Sequence, residues 1–142
     1  MQIVDLEKLL NSNSILEFPE IENAILRFGH GDCHDLTFSL NEIYHFKMIA
    51  IVSKSGLPIH SCVLIADNLT LDAYGINTIE TTLNRYSKIC LDNIEEEAEI
   101  KYINEEYIAN FALLLDEPED VINDFQPILN YLNLNLNSLV KS

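Results

Sequence analysis

The feature that most constrains the fold is a change in the spacing of apolar residues near residue 47. Before it, Leu36, Leu40 and Ile43 recur along one helix face, which predicts a helix over about 33–46. After it come three segments rich in β-branched residues: 47–53, 58–66 and 69–75. Sequential strands with short connections favour an antiparallel meander. The sequence therefore predicts an α+β domain in which a helix packs on a small antiparallel sheet.

Helical patterns flank this segment on both sides. The expected helices cover 5–11, 19–28, a capping-box start at 77–80, 107–115 and a last helix from Pro118. "EAEIKYI" is typical of a short edge strand. The alternation of Leu and Asn in "LNLNLNSL" fits either a frayed helix end or a strand.

The stretch "GHGDCHDL", residues 29–36, is the most suggestive of chemistry. With Asp32 as the N-cap, Cys33 becomes the first helical residue, where unpaired N–H groups and the helix dipole favour an anion. That position lowers the pKa of a thiol and increases its thiolate fraction. Gly29 and Gly31 would allow a sharp turn and the close approach of a substrate. Cys33 is therefore a candidate nucleophile.

A thiolate nucleophile needs a base, and the base needs an orienting group. His60 begins the segment "HSCVLIAD", and Asp72 lies in "LTLDAYG" on the next predicted strand. A three-residue loop at 66–68 places Asp72 opposite Cys62. The Asp72 side chain is then diagonal to His60 on one sheet face, within reach of the imidazole. A two-residue loop would put them on opposite faces.

This order of cysteine at a helix start, histidine on a strand and aspartate on the adjacent strand resembles the papain-like cysteine hydrolase core. The resemblance covers roughly residues 29–75, through "GDCHDLTFSL" and "GLPIHSCVLIADNLTLDAYG". It is nearest to small bacterial domains of plasmid, phage and effector origin, with transglutaminase-core proteins and NlpC-like peptidases as relatives. The resemblance implies that Cys33 is the nucleophile, His60 the base and Asp72 the residue that orients the imidazole, and it implies no cofactor or metal.

The oxyanion hole is where the sequence departs from papain-type proteases. Those enzymes have an aromatic residue after the cysteine and a glutamine upstream, whereas His34 follows Cys33 here and the only upstream glutamine is Gln2. The backbone N–H of Cys33 could supply one donor. Asn23 and His30 are candidates for the second.

Zinc binding is an alternative use of the same residues. Imidazole and thiolate ligands are offered by His30, Cys33, His34, His60 and Cys62. Their spacing is irregular and lacks Cys-x-x-Cys pairs, so we favour the hydrolase and expect no metal. Cys62 fits a core position, and Cys90 has no evident partner.

The net charge limits the classes of molecule that the protein is expected to bind. The net charge is −15, with 8 basic and 23 acidic residues, and such a surface repels phosphate backbones. More than half of the carboxylates lie at or after Asp92, notably in "DNIEEEAE" and "LDEPED". They form either a solvated face or a surface for a basic partner. The alternative function is therefore an acidic binding, inhibitory or immunity-like protein, or a nucleic-acid mimic, on the same scaffold.

Length and composition fit one domain. With 142 residues, 48% of them hydrophobic, we expect a single domain over 1–142, with its core at 29–75 and a helical part at 76–142. No apolar run approaches the ~20 residues that span a bilayer. Three irregularly spaced cysteines and no visible secretory signal predict a soluble cytoplasmic protein with free thiols, although delivery into another cell stays open. We expect thiol-based acyl chemistry on a protein substrate.

Overall fold

One antiparallel sheet organises the computed structural model, which describes residues 2–12, 18–91 and 98–140. Its strands are β1 (Val4–Asp5), β2 (Lys47–Ser53), β3 (Pro58–Ala66), β4 (Leu69–Asp72), β5 (Gly75–Thr78) and β6 (Ala98–Ile103). Their order across the sheet is β1-β5-β4-β3-β2-β6. The predicted α+β class is confirmed, and the meander runs from β2 to β5.

Along the described chain, helices lie before, between and after the strands. They are α1 (Glu7–Leu10), α2 (Pro19–His30), α3 (Cys33–Tyr44), α4 (Ile79–Leu91), α5 (Glu105–Phe111), α6 (Pro118–Leu132) and α7 (Leu136–Leu139). The stretch "LNLNLNSL" is not a strand. Helix α6 ends where Asn133 adopts a left-handed conformation with φ of 52°, and α7 follows as one short turn.

Strand boundaries follow the sequence pattern closely in β2 and β3, and "EAEIKYI" supplies the predicted edge strand, paired with β2. The segment "LTLDAYG", however, is not one strand. It turns at residues 73–74, so that Asp72 pairs with Gly75. Gly75 has φ of 94°, and a Cβ there would lie 2.2 Å from the Val4 carbonyl oxygen, so only glycine fits where β5 meets β1.

The connection between β3 and β4 differs from the expected three-residue loop. Only residues 67–68 form the turn, and a β-bulge at Ile65 takes up the extra residue. Beyond the bulge, the register is the one that the longer loop would have given, which leaves His60 and Asp72 on one face of the sheet. The pairs that define it are Ala66–Leu69, Leu64–Thr70 and Val63–Leu71.

The start of α4 lies one residue later than the predicted capping box. The Thr78 hydroxyl accepts a hydrogen bond from the Thr81 N–H at 3.1 Å. Asn77 is instead a buried β5 residue whose amide donates to the Tyr74 carbonyl at 3.2 Å. The capping function therefore belongs to Thr78.

The core forms where α3 packs on β3 and where α2 and α6 pack on α3. Phe28 of α2 meets Phe125 of α6 edge to face, with ring centroids 5.8 Å apart. Fully buried residues of this core include Ile25, Leu40, Ile51, Val63 and Leu71. This packing fixes the first turn of α3 near the beginning of β3.

A buried arginine holds the first strand against the rest of the domain. Arg85 of α4 donates to Asp5 at 2.7 Å and to Glu7 at 3.3 Å, and its guanidinium lies 4.4 Å from the centre of the Tyr74 ring.

Across the described residues, we find no helix long and apolar enough to cross a membrane.

Candidate active site

Cys33 is the first residue of α3 and is 7% exposed. Asp32 occupies the N-cap position, as predicted, but its side chain makes no capping hydrogen bond. Its carboxylate instead accepts from Arg27 Nε at 2.9 Å, and Arg27 also binds Asp116 and Asp124. Because no side chain caps the first turn, its backbone N–H groups stay free to face an anion beside Cys33.

His60 and Asp72 form a buried hydrogen-bonded pair on adjacent strands. His60 Nε2 lies 2.9 Å from Asp72 Oδ2, and neither residue is more than 1% exposed. The other carboxylate oxygen, Oδ1, accepts the Tyr74 N–H at 2.9 Å. The tight turn at 73–74 therefore orients the carboxylate that holds the imidazole.

The second nitrogen of His60 is the one left for Cys33. His60 Nδ1 is buried and makes no hydrogen bond of good geometry within the described residues. Burial lowers the pKa of His60, but the hydrogen bond to Asp72 and the neighbouring Cys33 thiol raise it to about 9. Long or poorly aligned contacts between nucleophile and base are common before substrate binds.

Two imidazoles act on the thiol of Cys33. Burial raises the pKa of Cys33, but polar contacts with the imidazoles of His34 and His60, together with the charge of either ring when protonated, lower it to about 5. The two shifts, downward for Cys33 and upward for His60, favour a thiolate beside an imidazolium. A thiolate of this kind is the reactive form of cysteine in nucleophilic catalysis.

Tyr86 fixes the plane of the His60 ring. The two rings are stacked, with centroids 3.5 Å apart and an angle of 8° between planes. The Tyr86 hydroxyl donates to the Gly29 carbonyl at 3.2 Å. The sequence gives no signal for this contact, because helix periodicity identifies a buried face and not its partner.

The glycines act differently from the prediction. Gly29 lies inside α2, and a Cβ there would be 3.2 Å from the Tyr74 ring, so it permits close packing instead of a sharp turn. Gly31 is the residue that ends the helix. Asn23 is exposed on α2, about 10 Å along the helix axis from His30, and the structure does not bring it to Cys33.

A cavity of about 170 Å³ opens beside the thiol. Its lining consists of Gly29, His30, Gly31, Cys33, His34, Ile59 and Tyr86. Ile59 is the extra residue of a second bulge, between the pairs Ile51–His60 and Val52–Pro58, which lies directly before His60. Bulges are common beside active sites because they redirect a side chain.

Of the five residues considered as zinc ligands, His60 and Cys62 are the two that join one possible ligand group among the described residues, with Asp72 as its third member. His30 Nε2 lies 2.9 Å from the Tyr74 hydroxyl, and His34 Nδ1 lies 2.7 Å from Ser61 Oγ. Possible ligand atoms of His60, Cys62 and Asp72 do lie within 4.8 Å of one another. Burial, with the negative charges of Asp72 and Cys33, raises the pKa of Cys62 well above its usual range, which favours a neutral core thiol.

Comparison of the chain with protein families, with curated proteins and with solved structures found no match. The papain-like resemblance therefore stays a prediction from the sequence. The side chain of Cys90 and the acidic residues 92–97, both singled out in the sequence, lie outside the described part of the chain.

Proposed function

We propose that the protein performs thiol-dependent acyl chemistry on a protein substrate through Cys33, His60 and Asp72, as a cysteine peptidase, deamidase or acyltransferase. The observation that carries this proposal is the buried imidazole of His60, held by Asp72 at 2.9 Å and adjoining a thiol of lowered pKa. The order of the three residues along the chain, which resembles the papain-like hydrolases, supports it further.

The first half of the reaction transfers the acyl group to the enzyme. The Cys33 thiolate attacks the carbonyl carbon, a C–S bond forms, and the π electrons move to oxygen. The Cys33 N–H at the helix start donates to that oxyanion. When the intermediate collapses, the C–N bond breaks, and the leaving amine or ammonia takes the proton from His60 Nδ1.

The second half regenerates the thiolate. Water, or an acceptor amine in acyl transfer, gives a proton to His60 as it attacks the thioester carbon. The C–S bond then breaks, and the electron pair returns to Cys33 sulfur. Throughout, Asp72 accepts the hydrogen bond from Nε2–H and keeps Nδ1 directed at the reaction.

A basic surface on the substrate is part of this proposal. Around the start of α3 lie Asp32, Asp35 and Asp116, and burial together with the charges of Asp32 and Asp116 raises the pKa of Asp35. Arg27 and His34 oppose that shift, and Arg27 is itself shared by three carboxylates. Such a field favours the approach of positively charged segments.

Alkylation of the three cysteines tests the proposal. Iodoacetamide labelling across pH is followed by peptide mapping in the wild type, in His60→Gln and in the control Cys62→Ala. We expect Cys33 to label fastest at mildly acidic pH and to lose that advantage only in His60→Gln. A Cys33 that labels no faster than Cys62 or Cys90, or only after unfolding, contradicts an activated thiol.

Substrate assays follow from a positive result. Fluorogenic peptide amides report peptidase activity, ammonia release from glutamine peptides reports deamidation, and exchange with an added amine reports acyl transfer. Each activity should disappear in Cys33→Ala.

Acidic binding is a second candidate, favoured by the use of both arginines inside the domain. Arg27 is bound by Asp32, Asp116 and Asp124, and Arg85 by Asp5 and Glu7. The remaining carboxylates therefore have little positive charge to offset them. A binding protein would retain its partner in Cys33→Ala and lose it when Glu95, Glu96 and Glu97 become Gln.

A further inference from the structure

His34 is a second imidazole at the candidate nucleophile. It is half-buried, lines the cavity beside Cys33 and contributes to the lowered pKa of that thiol. Its Nδ1 lies 2.7 Å from Ser61 Oγ, and its ring meets Phe111 edge to face with centroids 4.7 Å apart. Contacts from β3 and α5 thus hold the ring in one orientation.

His60 and His34 make their fixing contacts on opposite faces of the sheet at β3. His60 and Ser61 are neighbours on β3, so their side chains point to opposite faces of the sheet. His60 is held on its face by Asp72 and Tyr86, and His34 is held by Ser61. Cys33 and His34, which are consecutive at the start of α3, therefore contact His60 and Ser61, which are consecutive in β3.

An oxyanion at Cys33 needs a second donor that His60 does not provide. His60 Nε2 is engaged by Asp72, and Nδ1 has to exchange the proton with the leaving group. Asn23 is exposed on α2, and His30 Nε2 is engaged by the Tyr74 hydroxyl. His34 lines the cavity and contacts the Cys33 thiol, and because Ser61 occupies Nδ1, Nε2 is the ring nitrogen not bound to Ser61.

Resting on the proposed function, we propose that His34 Nε2–H donates the second hydrogen bond to the oxyanion formed at Cys33. Ser61 is a positioning residue: its hydroxyl donates to His34 Nδ1, which leaves the ring N–H on Nε2. The backbone N–H of Cys33 is the first donor. This arrangement takes the place of the glutamine that papain-type enzymes use.

Two reagents separate oxyanion stabilisation from thiolate activation. Iodoacetamide alkylates by displacing iodide, so no oxyanion forms. p-Nitrophenyl acetate acylates Cys33 through an oxyanion, after which the C–O bond to p-nitrophenolate breaks. Full pH profiles of both reactions give the plateau rate of the ionised thiol, which removes the effect of a changed Cys33 pKa on the thiolate fraction. A changed pKa also alters thiolate nucleophilicity, but that effect acts on both reactions in the same direction.

Wild type, His34→Ala and His34→Gln are compared on these plateaus. In His34→Ala the alkylation plateau should not fall, because a thiolate of higher pKa is the stronger nucleophile. The acylation plateau should fall by roughly 10²-fold or more. His34→Gln, which keeps an N–H donor, should recover most of the acylation. Ser61→Ala should lower acylation by less than His34→Ala and leave alkylation unchanged.

Equal losses in both reactions, or no recovery in His34→Gln, would overturn the role of His34. If the Ala variant does not fold, His34→Leu and His34→Gln form a size-matched pair for the same comparison. A different result, in which wild-type Cys33 is alkylated rapidly but never acylated, would instead defeat the proposed function and this inference with it.

Discussion

Asp72 reaches His60 at 2.9 Å although the turn between their strands has only two residues, because a bulge at Ile65 shifts the register. Without the bulge, the strict alternation of strand side chains would send the two groups to opposite faces. The acid–imidazole pair therefore depends on a local irregularity of β3 as well as on the chemistry of its members.

Asp72→Asn should lower the reactivity of the Cys33 thiol by changing the pKa of His60. The hydrogen bond to Asp72 raises the pKa of His60, so its loss lowers that pKa and removes the imidazolium that stabilises the thiolate. We expect the midpoint of Cys33 alkylation to rise from about 5 toward the ordinary thiol value. Turnover should fall by at least about 10²-fold.

Asp67→Asn is the matched control for that substitution, since Asp67 lies exposed in the turn between β3 and β4 and the change in charge is the same. Its alkylation profile should equal that of the wild type. An unchanged midpoint in Asp72→Asn would show that the carboxylate does not act through the imidazole.

Alkylation and turnover should depend differently on pH. Alkylation needs only the thiolate, so it rises as pH passes about 5 and then stays high. Turnover also needs a protonated His60, so it rises at the same point but declines as pH passes about 9. The measurement is a pair of pH profiles on one preparation, and a turnover that keeps rising above that point would argue against His60 as the acid.

Tyr86→Phe and Tyr86→Leu should separate the hydroxyl from the stacked ring. Phe keeps the stack on His60 and loses the hydrogen bond to the Gly29 carbonyl, which should cost about 1 kcal/mol in the free energy of unfolding. Leu also removes the ring and should cost about 1–3 kcal/mol. Urea denaturation measures both values.

Reactivity distinguishes the two Tyr86 variants as well. Cys33 alkylation should be unaffected in Tyr86→Phe and slower in Tyr86→Leu, because the imidazole loses the surface that fixes its plane. Equal alkylation rates in all three proteins would indicate that Asp72 alone positions the ring.

Gly75→Ala and Gly56→Ala should differ in their effect on stability. Both glycines have positive φ, 94° and 88°, so each Ala carries a backbone penalty of about 1–2 kcal/mol. Only at Gly75 does the new Cβ also collide with a backbone, at 2.2 Å from the Val4 oxygen, whereas nothing lies within 4 Å at Gly56. Thermal denaturation should show the larger loss in Gly75→Ala, and similar losses would mean that β1 yields to the added methyl.

The sequence predicted those features that depend on periodicity. The bounds of β2 and β3 and the placement of Cys33 at a helix start followed from apolar spacing and from the N-cap position of Asp32. The bulge at Ile65 could not be predicted, because no residue type demands one there. The prediction that His60 and Asp72 share one face of the sheet was therefore correct, although the loop length on which it depended was wrong.

The contacts that complete the site depend on tertiary packing. His34 and Ser61 are 27 residues apart, and no local pattern connects a residue of the first turn of α3 with the middle of a strand. The one available signal was the polar residue directly after Cys33. The stack of Tyr86 on His60 likewise requires the position of α4 relative to the sheet, which helix periodicity does not give.

The stack of Tyr86 on His60 also makes the site observable by light. The chain contains six tyrosines and no tryptophan, so its ultraviolet emission comes from tyrosine. A protonated imidazole quenches a phenol ring in face-to-face contact, and these rings are 3.5 Å apart. The difference in emission between the wild type and Tyr86→Phe would therefore follow the protonation of His60 in the unlabelled protein.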